Sequence, residues 1–241
     1  MEKVIKGKIV DLFSIGKTNN SERDSFVSRF FGIFNERIAE IYFNSPFSEY
    51  ENLGRPTLWY NKKYYTLDFS LKNKITKEIF VCEMKCEMQY NNYKQLILSN
   101  VDQILTHKKD AFKYFLEIGK KNNNIIVKIN KKEITVNGII LLWGKISENI
   151  NDLEKIKSKY NFYEILSLEK MINIMILNNY DIFLDFINER KIWINNFLND
   201  IVVFDKKDIK CNCRVTAQTR LSNLYLMAHN NYKLIDKLSP H

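Results

Sequence analysis

The sequence is poor in the features that would place it outside the cell or in a membrane. Its four cysteines, Cys82, Cys86, Cys211 and Cys213 in 241 residues, are too few for the disulfide framework of a secreted domain, so a reducing cytoplasm is the expected compartment. Cys211-x-Cys213 has no second ligand pair at finger spacing, which argues against a structural zinc site. No apolar run approaches the roughly 20 residues that a membrane-spanning helix needs. Residues 1–13 alternate charged and apolar side chains and lack the continuous apolar core of a signal peptide. There is no P-loop or helicase motif, no internal repeat, and no Ser/Gly-rich linker.

What remains is a globular chain with a surplus of positive charge. At 45% hydrophobic it can bury one good core, with or without a helical extension. The formal charge of +9 favours a polyanionic partner, of which nucleic acid is the usual one.

The most informative stretch is Phe80-Val81-Cys82-Glu83-Met84-Lys85. It reads as a buried strand with Glu83 and Lys85 at i and i+2, on one face of the pleat. Burying a carboxylate and an ammonium is costly unless each has a partner, and a divalent cation with a phosphate would supply both. Upstream, Leu58–Tyr60 and Tyr64–Asp68 read as two aromatic strands around a polar turn at 61–63. Leu71–Glu78 reads as a second turn-like stretch, which would set Asp68 and Glu83 on adjacent antiparallel strands with their carboxylates able to share one ion. Further upstream, Val27, Phe30, Phe31, Phe34, Ile38 and Ile41 recur at helical spacing between Glu22 and Tyr42, with a cap at Asn20-Ser21. Glu36 and Glu40 fall together on the border of that stripe.

Asp68 followed by Glu83-Met84-Lys85 resembles the active-site signature of the PD-(D/E)XK nuclease superfamily, an Asp on one strand and Glu-x-Lys on the next. The position before the Asp is Leu67 where the full pattern has Pro. Gly32-x-x-x-Glu36-Arg37 is similar to the N-terminal segment of archaeal Holliday-junction resolvases. The resemblance covers residues 22–145 as helix, three strands, helix, strand. It implies that Asp68, Glu83 and Glu36 hold Mg²⁺, with Mn²⁺ as a substitute and Glu40 as the alternative to Glu36. It further implies that Lys85 orients the attacking water and offsets charge on the phosphate.

Around this centre, Arg55 in the connector 44–56 is a candidate phosphate contact, with a solvated surface role as the alternative. Gln89, Tyr90 and Asn92 are candidate nucleic-acid contacts at the mouth of the site. A helix or helix pair is expected over 94–120, with Leu96, Ile97, Val101, Ile104, Leu105, Phe112 and Phe115 buried and His107 on the surface. Residues 125–128 and 134–136 read as strands around a turn at Asn130-Lys131, and Ile139–Trp143 as a central strand covered on both faces. Beyond residue 145 a helix over 148–160, a strand over 162–166, a helix over 168–177 capped by Ser167 and a core-forming helix over 180–201 are expected, with a helical-looking end over 214–238 in which Leu221, Leu224, Tyr225 and Met227 cluster.

The fold class expected is α/β, a central mixed β-sheet flanked by helices in a restriction-endonuclease-like core over 1–145. A mostly helical region over 146–241 would complete the core or serve recognition or dimerisation. The function expected is Mg²⁺-dependent endonucleolytic hydrolysis of DNA in restriction or host defence, by a homodimer that cuts one strand per subunit. The alternatives are a repair or junction-resolving nuclease, an RNA-directed nuclease, and a nucleic-acid-binding module without the chemistry.

Overall fold

The computed structural model describes residues 20–86, 96–121 and 125–202, with side chains described between Phe31 and Asn196 except at Ile194. The expected contacts Gln89, Tyr90 and Asn92, the Cys211-x-Cys213 pair and the helix expected over 214–238 lie outside the described residues. The chain divides into a unit formed by Phe31–Tyr180 and a second formed by residues 1–30 and 181–241.

The Phe31–Tyr180 unit is mixed α/β. The helix α1 (Asn20–Phe43) supplies its residues from Phe31 on to this unit, and β1 (Tyr50–Gly54), β4 (Phe69–Asn73) and β5 (Ile79–Lys85) follow as an antiparallel series. Between β1 and β4 the chain makes a separate hairpin, β2 (Thr57–Tyr60) and β3 (Lys63–Thr66). After β5 come β6 (Ile97–Leu98), the short α2 (Asp102–Leu105) and α3 (Asp110–Gly119). A second hairpin, β7 (Ile126–Ile129) and β8 (Lys132–Ile134), leads into β9 (Gly138–Trp143), which pairs parallel to β5. The two-residue β10 (Lys145–Ile146), α4 (Ile150–Tyr160), β11 (Phe162–Ser167) and α5 (Leu168–Leu177) complete the unit. In the second unit, α6 spans Asp181–Val202, and the Arg190 guanidinium lies 5.2 Å from the Phe186 ring centroid.

The main sheet has five strands in the order β1-β4-β5-β9-β11, antiparallel on one side of β5 and parallel on the other. The hairpins β2–β3 and β7–β8 form a four-stranded antiparallel sheet in the order β3-β2-β7-β8. Since β11 is a strand of the main sheet, residues 146–180 belong to the same unit as the sheet.

The alternation along β5 decides what each face does. Val81 points to a core shared with Ile139, Leu141 and Trp143 of β9 and with Phe112 and Phe115 of α3. Phe80 and Cys82, fully buried, point the other way, and Phe80 stacks on Tyr163 at 4.2 Å. Period 2 then places Glu83 and Lys85 on the α3 side. The close seating of α3 depends on Gly119: a β-carbon there would stand 2.5 Å from Ile139 Cδ1 and 2.9 Å from the Tyr160 carbonyl oxygen. Each large aliphatic buried in this layer contributes about 1.5–3 kcal/mol. Both hairpin turns carry left-handed pairs, Asn61-Lys62 and Asn130-Lys131, the geometry that matches strand twist in two-residue loops.

The structure corrects several sequence expectations. The strand beside β5 is β4, and Phe69–Asn73 is neither turn-like nor the end of the aromatic hairpin, which joins the other sheet. Its apolar–polar alternation is only five residues long and runs straight into turn chemistry. There the Asn73 side chain accepts from the Ile75 and Thr76 N–H groups, at 2.8 and 3.0 Å. The connector over 44–56 contains β1. The helix or helix pair expected over 94–120 is a pair of separate helices preceded by a short strand, with Ile97 and Leu105 exposed rather than buried. The strand expected over 134–136 is β8, ending at Ile134. Ser167 does cap α5, its side chain accepting from the Lys170 N–H at 3.3 Å.

Candidate active site

Asp68, Glu83 and Lys85 meet where β4 begins and β5 ends. Asp68 immediately precedes β4, and the register pairs Phe69 with Cys82, so Asp68 falls beside the Glu83–Met84 peptide. The Met84 N–H donates to Asp68 Oδ2 at 2.8 Å, which fixes that carboxylate against the backbone of β5. Lys85 Nζ donates to Glu83 Oε1 at 2.5 Å and to the Met84 carbonyl at 3.2 Å. It also lies 4.9 Å from the centroid of the Phe112 ring on α3, a cation–π contact that a partly desolvated ammonium favours.

Glu83 is 7% exposed, and its Oε2 is buried with no hydrogen-bond partner. An acceptor in that state costs about 1–3 kcal/mol. Burial is the main cause that pushes the Glu83 carboxyl up to about 7; the Lys85 ammonium opposes the shift and the Asp68 charge adds to it. Around it, burial drives the Cys82 thiol well above its usual range and the Cys86 thiol up to about 12. Both cysteines therefore act as small apolar residues rather than nucleophiles.

Glu36, on α1, reaches the site through Arg55. Arg55 Nη1 lies 3.0 Å from Glu36 Oε1, and Nη2 lies 3.5 Å from Asp68 Oδ1. Burial raises the Glu36 carboxyl above the usual carboxylate range, with Arg55 pulling the other way and Asp68 and Glu40 adding to the rise. Glu40 is held by Arg37 one turn back on the same helix at 2.5 Å, which leaves Glu36 as the α1 carboxylate joined to Asp68. The structure thus joins Glu36, Arg55 and Asp68 in one chain of contacts and Glu83 with Lys85 in another, linked through the Met84 peptide. Among the described residues, no three His, Cys, Asp or Glu side chains stand close enough to hold a metal ion in this arrangement.

The donor set nevertheless fits a hard divalent cation in kind. Asp68 and Glu83 offer carboxylate oxygens and Met84 a carbonyl, the ligands that Mg²⁺ prefers, and the orphaned Glu83 Oε2 is an acceptor in want of a cation.

His107 is the residue whose position the sequence concealed. It follows α2 and packs edge-on against Phe112 and Trp143, with centroids at 5.2 and 5.6 Å, instead of lying on the surface. Burial, then the charges of Lys85 and Lys109, push its pKa down to about 4, so it is neutral at pH 7. The flanking Lys108, Lys109 and Asp110 gave it the look of a surface loop; only the aromatic residue five positions on, Phe112, hinted at burial. Trp143 is itself oriented by donating Nε1–H to the Leu96 carbonyl at 2.7 Å.

No protein-family model, curated protein or solved structure matches the chain, and its residues and their geometry therefore carry the functional reading.

Proposed function

We propose that the protein is a Mg²⁺-dependent endonuclease of restriction-endonuclease-like fold that hydrolyses DNA phosphodiester bonds. The observation that carries the reading is the junction of Asp68 with Glu83-x-Lys85 across two antiparallel strands, tied by the 2.8 Å bond from the Met84 N–H to Asp68. Two features support it. The order α1, an antiparallel series β1-β4-β5, helix α3 and a parallel β9 fits the helix, three strands, helix and strand that the sequence resemblance implies. The chain's +9 charge suits a polyanionic substrate.

In this reading Asp68 and Glu83 hold the cation, with Glu36 reaching it from α1. An Mg²⁺ ion held there would supply a water activated near neutral pH and positive charge beside the phosphate, a role Mn²⁺ would also fill. Lys85, braced by Phe112 and the Met84 carbonyl, is the residue to which this reading assigns orienting the attacking water and offsetting charge developing on the phosphoryl oxygens. The Met84 N–H keeps Asp68 from turning away. At 16% side-chain exposure the Lys85 ammonium is partly desolvated, which strengthens every charge contact it makes. Restriction or host defence in the cytoplasm is the biological setting, and a homodimer cuts the two strands of a duplex.

A second reading, a nucleic-acid-binding module that keeps the fold without the chemistry, draws on one specific observation: Lys85 is engaged with Glu83, and the carboxylates stand in two groups. Incubation with a defined supercoiled plasmid and Mg²⁺ or Mn²⁺, followed by sequencing of the ends, separates them. Discrete fragments are the result expected of a restriction enzyme, and a smear points to a nonspecific or structure-directed nuclease. DNA that is bound but intact with either cation overturns the nuclease reading in favour of the binding module.

A further inference from the structure

Arg55 occupies an unusual position for a half-exposed cation. Its backbone is pinned on both sides, while its guanidinium spans two carboxylates from different parts of the fold. Gly54, at φ +99°, ends a bulged β1, and its N–H donates to Asn52 Oδ1 at 2.9 Å. The Ser70 hydroxyl donates to the Gly54 carbonyl at 2.6 Å. On the other side the Leu67 N–H donates to the Pro56 carbonyl at 3.1 Å. The corner Gly54-Arg55-Pro56 is thereby fixed to β4 and to the residue before Asp68.

The contacts of the side chain itself are looser. At 55% exposure, with one contact at 3.0 Å and the other at 3.5 Å, the guanidinium is a replaceable partner. Asp68 Oδ2 is committed to the Met84 N–H, so Oδ1 is the oxygen on which Arg55 and an incoming cation compete. A divalent ion that binds carboxylate oxygen at about 2.0–2.1 Å carries twice the charge at a much shorter distance. Once displaced, the guanidinium stays within a side chain's length of the site because its Cα does not move. A phosphate, which accepts a bidentate Arg, is its natural next partner.

We propose that Arg55 is a resident counter-cation for Glu36 and Asp68 that a divalent ion displaces, and that the freed guanidinium then takes up a phosphate of the nucleic acid. The proposal rests on the nuclease reading and adds to it a coupling: cation binding makes the anion-binding group available. By linkage the coupling is reciprocal, so nucleic acid should also tighten the cation.

The test compares the wild-type chain with Arg55→Ala and Arg55→Lys. Mn²⁺ binding is followed by electron paramagnetic resonance without nucleic acid, and binding of a labelled duplex oligonucleotide is followed in EDTA and in Ca²⁺. Arg55→Ala should bind Mn²⁺ about fivefold tighter or more, the lower end of typical coupling between sites. Ca²⁺ should strengthen duplex binding by the wild type by a similar factor, and by clearly less in Arg55→Ala. Arg55→Lys should bind Mn²⁺ with intermediate affinity, because it keeps the charge and loses the fork. Equal Mn²⁺ affinity in wild type and Arg55→Ala, or equal Ca²⁺ enhancement in both, overturns the proposal and leaves the nuclease reading standing. A wild-type chain that binds no Mn²⁺ in either the presence or the absence of duplex removes the metal site itself and the proposal with it. Matching melting temperatures for the three proteins, expected for a half-exposed side chain, exclude a folding effect.

Discussion

Two antiparallel strand pairs, close together in sequence, meet opposite electrostatic conditions. In β2–β3, alternation does all the work: Leu58 is buried, while Trp59 and Tyr64 pair at 4.3 Å on the face that leaves Tyr64 62% exposed. No charge of that hairpin is among the buried residues. In β4–β5, Ser70 and every residue from Phe80 to Glu83 are buried, and one of them is a carboxylate with an unpartnered oxygen. Burial of Leu58 and cross-strand pairing of the aromatic residues are enough to explain the hairpin by folding alone. The β4–β5 pair holds a carboxylate that an apolar residue would replace at lower cost. The proposed nuclease reading takes this disfavoured burial of Glu83, with Lys85 and Asp68 beside it, as the mark of a functional site.

The contrast breaks most visibly in cleavage assays. Lys85→Ala and Asp68→Ala should each lower the rate of Mg²⁺-dependent plasmid cleavage by about 10²–10³-fold, the scale of losing one preorganised electrostatic group. Tyr64→Ala in the hairpin should leave it close to wild type. If Tyr64→Ala abolishes cleavage and Lys85→Ala does not, the two regions have been assigned the wrong way round.

Stability should move the other way. Glu83 lies opposite Leu141 and Lys85 opposite Trp143, so the double variant Glu83→Leu/Lys85→Met should be inactive and more stable by about 1–4 kcal/mol, as for other buried ion pairs replaced by apolar residues. Single Lys85→Met, which strands the Glu83 carboxyl, should be less stable than the double variant. Urea unfolding of the three proteins decides it; a double variant less stable than wild type would mean that the pair maintains the fold.

Gly119→Ala is the packing control outside both pairs. Its β-carbon would press on Ile139 Cδ1 and the Tyr160 carbonyl, and overpacking of this kind costs about 1–3 kcal/mol. A melting temperature lowered by about 2–4 °C per kcal/mol is the expected reading; no change would show that α3 sits more loosely on β9 than described.

The dependence on pH separates the two regions further. The Glu83 carboxyl titrates at about 7 in the fold against 4.5 for the unperturbed group. Its contribution to stability is therefore fully present below about pH 4.5 and is lost as pH rises through about 7. His107 has the opposite sign, since its pKa is lowered from 6.5 to about 4: its contribution is present above 6.5 and lost as pH falls through about 4. The difference in melting temperature between wild type and Glu83→Gln isolates the first group, and should move against the wild type as pH rises from 4.5 to 7. Over the upper part of that window Mn²⁺ affinity should increase, because the cation needs the ionised carboxylate. A difference that stays flat across the window would show that Glu83 titrates normally.

The residues of the proposed site stand out in the sequence for a definite reason. Glu83 and Lys85 stand out because charges interrupt an otherwise apolar run, and Asp68 because a strand signal stops on it. The placement of β4 was not legible, since Phe69–Asn73 alternates for too few residues before the Asn73 turn. Arg55 showed as a connector residue, and only the three-dimensional path of β1, bent at Gly54, carries it to Glu36 and Asp68. His107 was hidden by its lysine neighbours, because the aromatic wall it joins includes Trp143, 36 positions away in the sequence. The antiparallel Asp68–Glu83 neighbourhood was expected on the wrong strand and yet recovered, since β4 starts one residue after Asp68 and inherits the register.

The central claim is that Asp68 and Glu83 together grip one hard cation beside the Lys85 ammonium. Anomalous diffraction from crystals of the protein soaked in Mn²⁺ tests it without reference to substrate. The account predicts a single strong peak within coordination distance of both an Asp68 oxygen and Glu83 Oε2, absent from Asp68→Ala crystals. A peak bound elsewhere, or one that persists when Asp68 is removed, would contradict it.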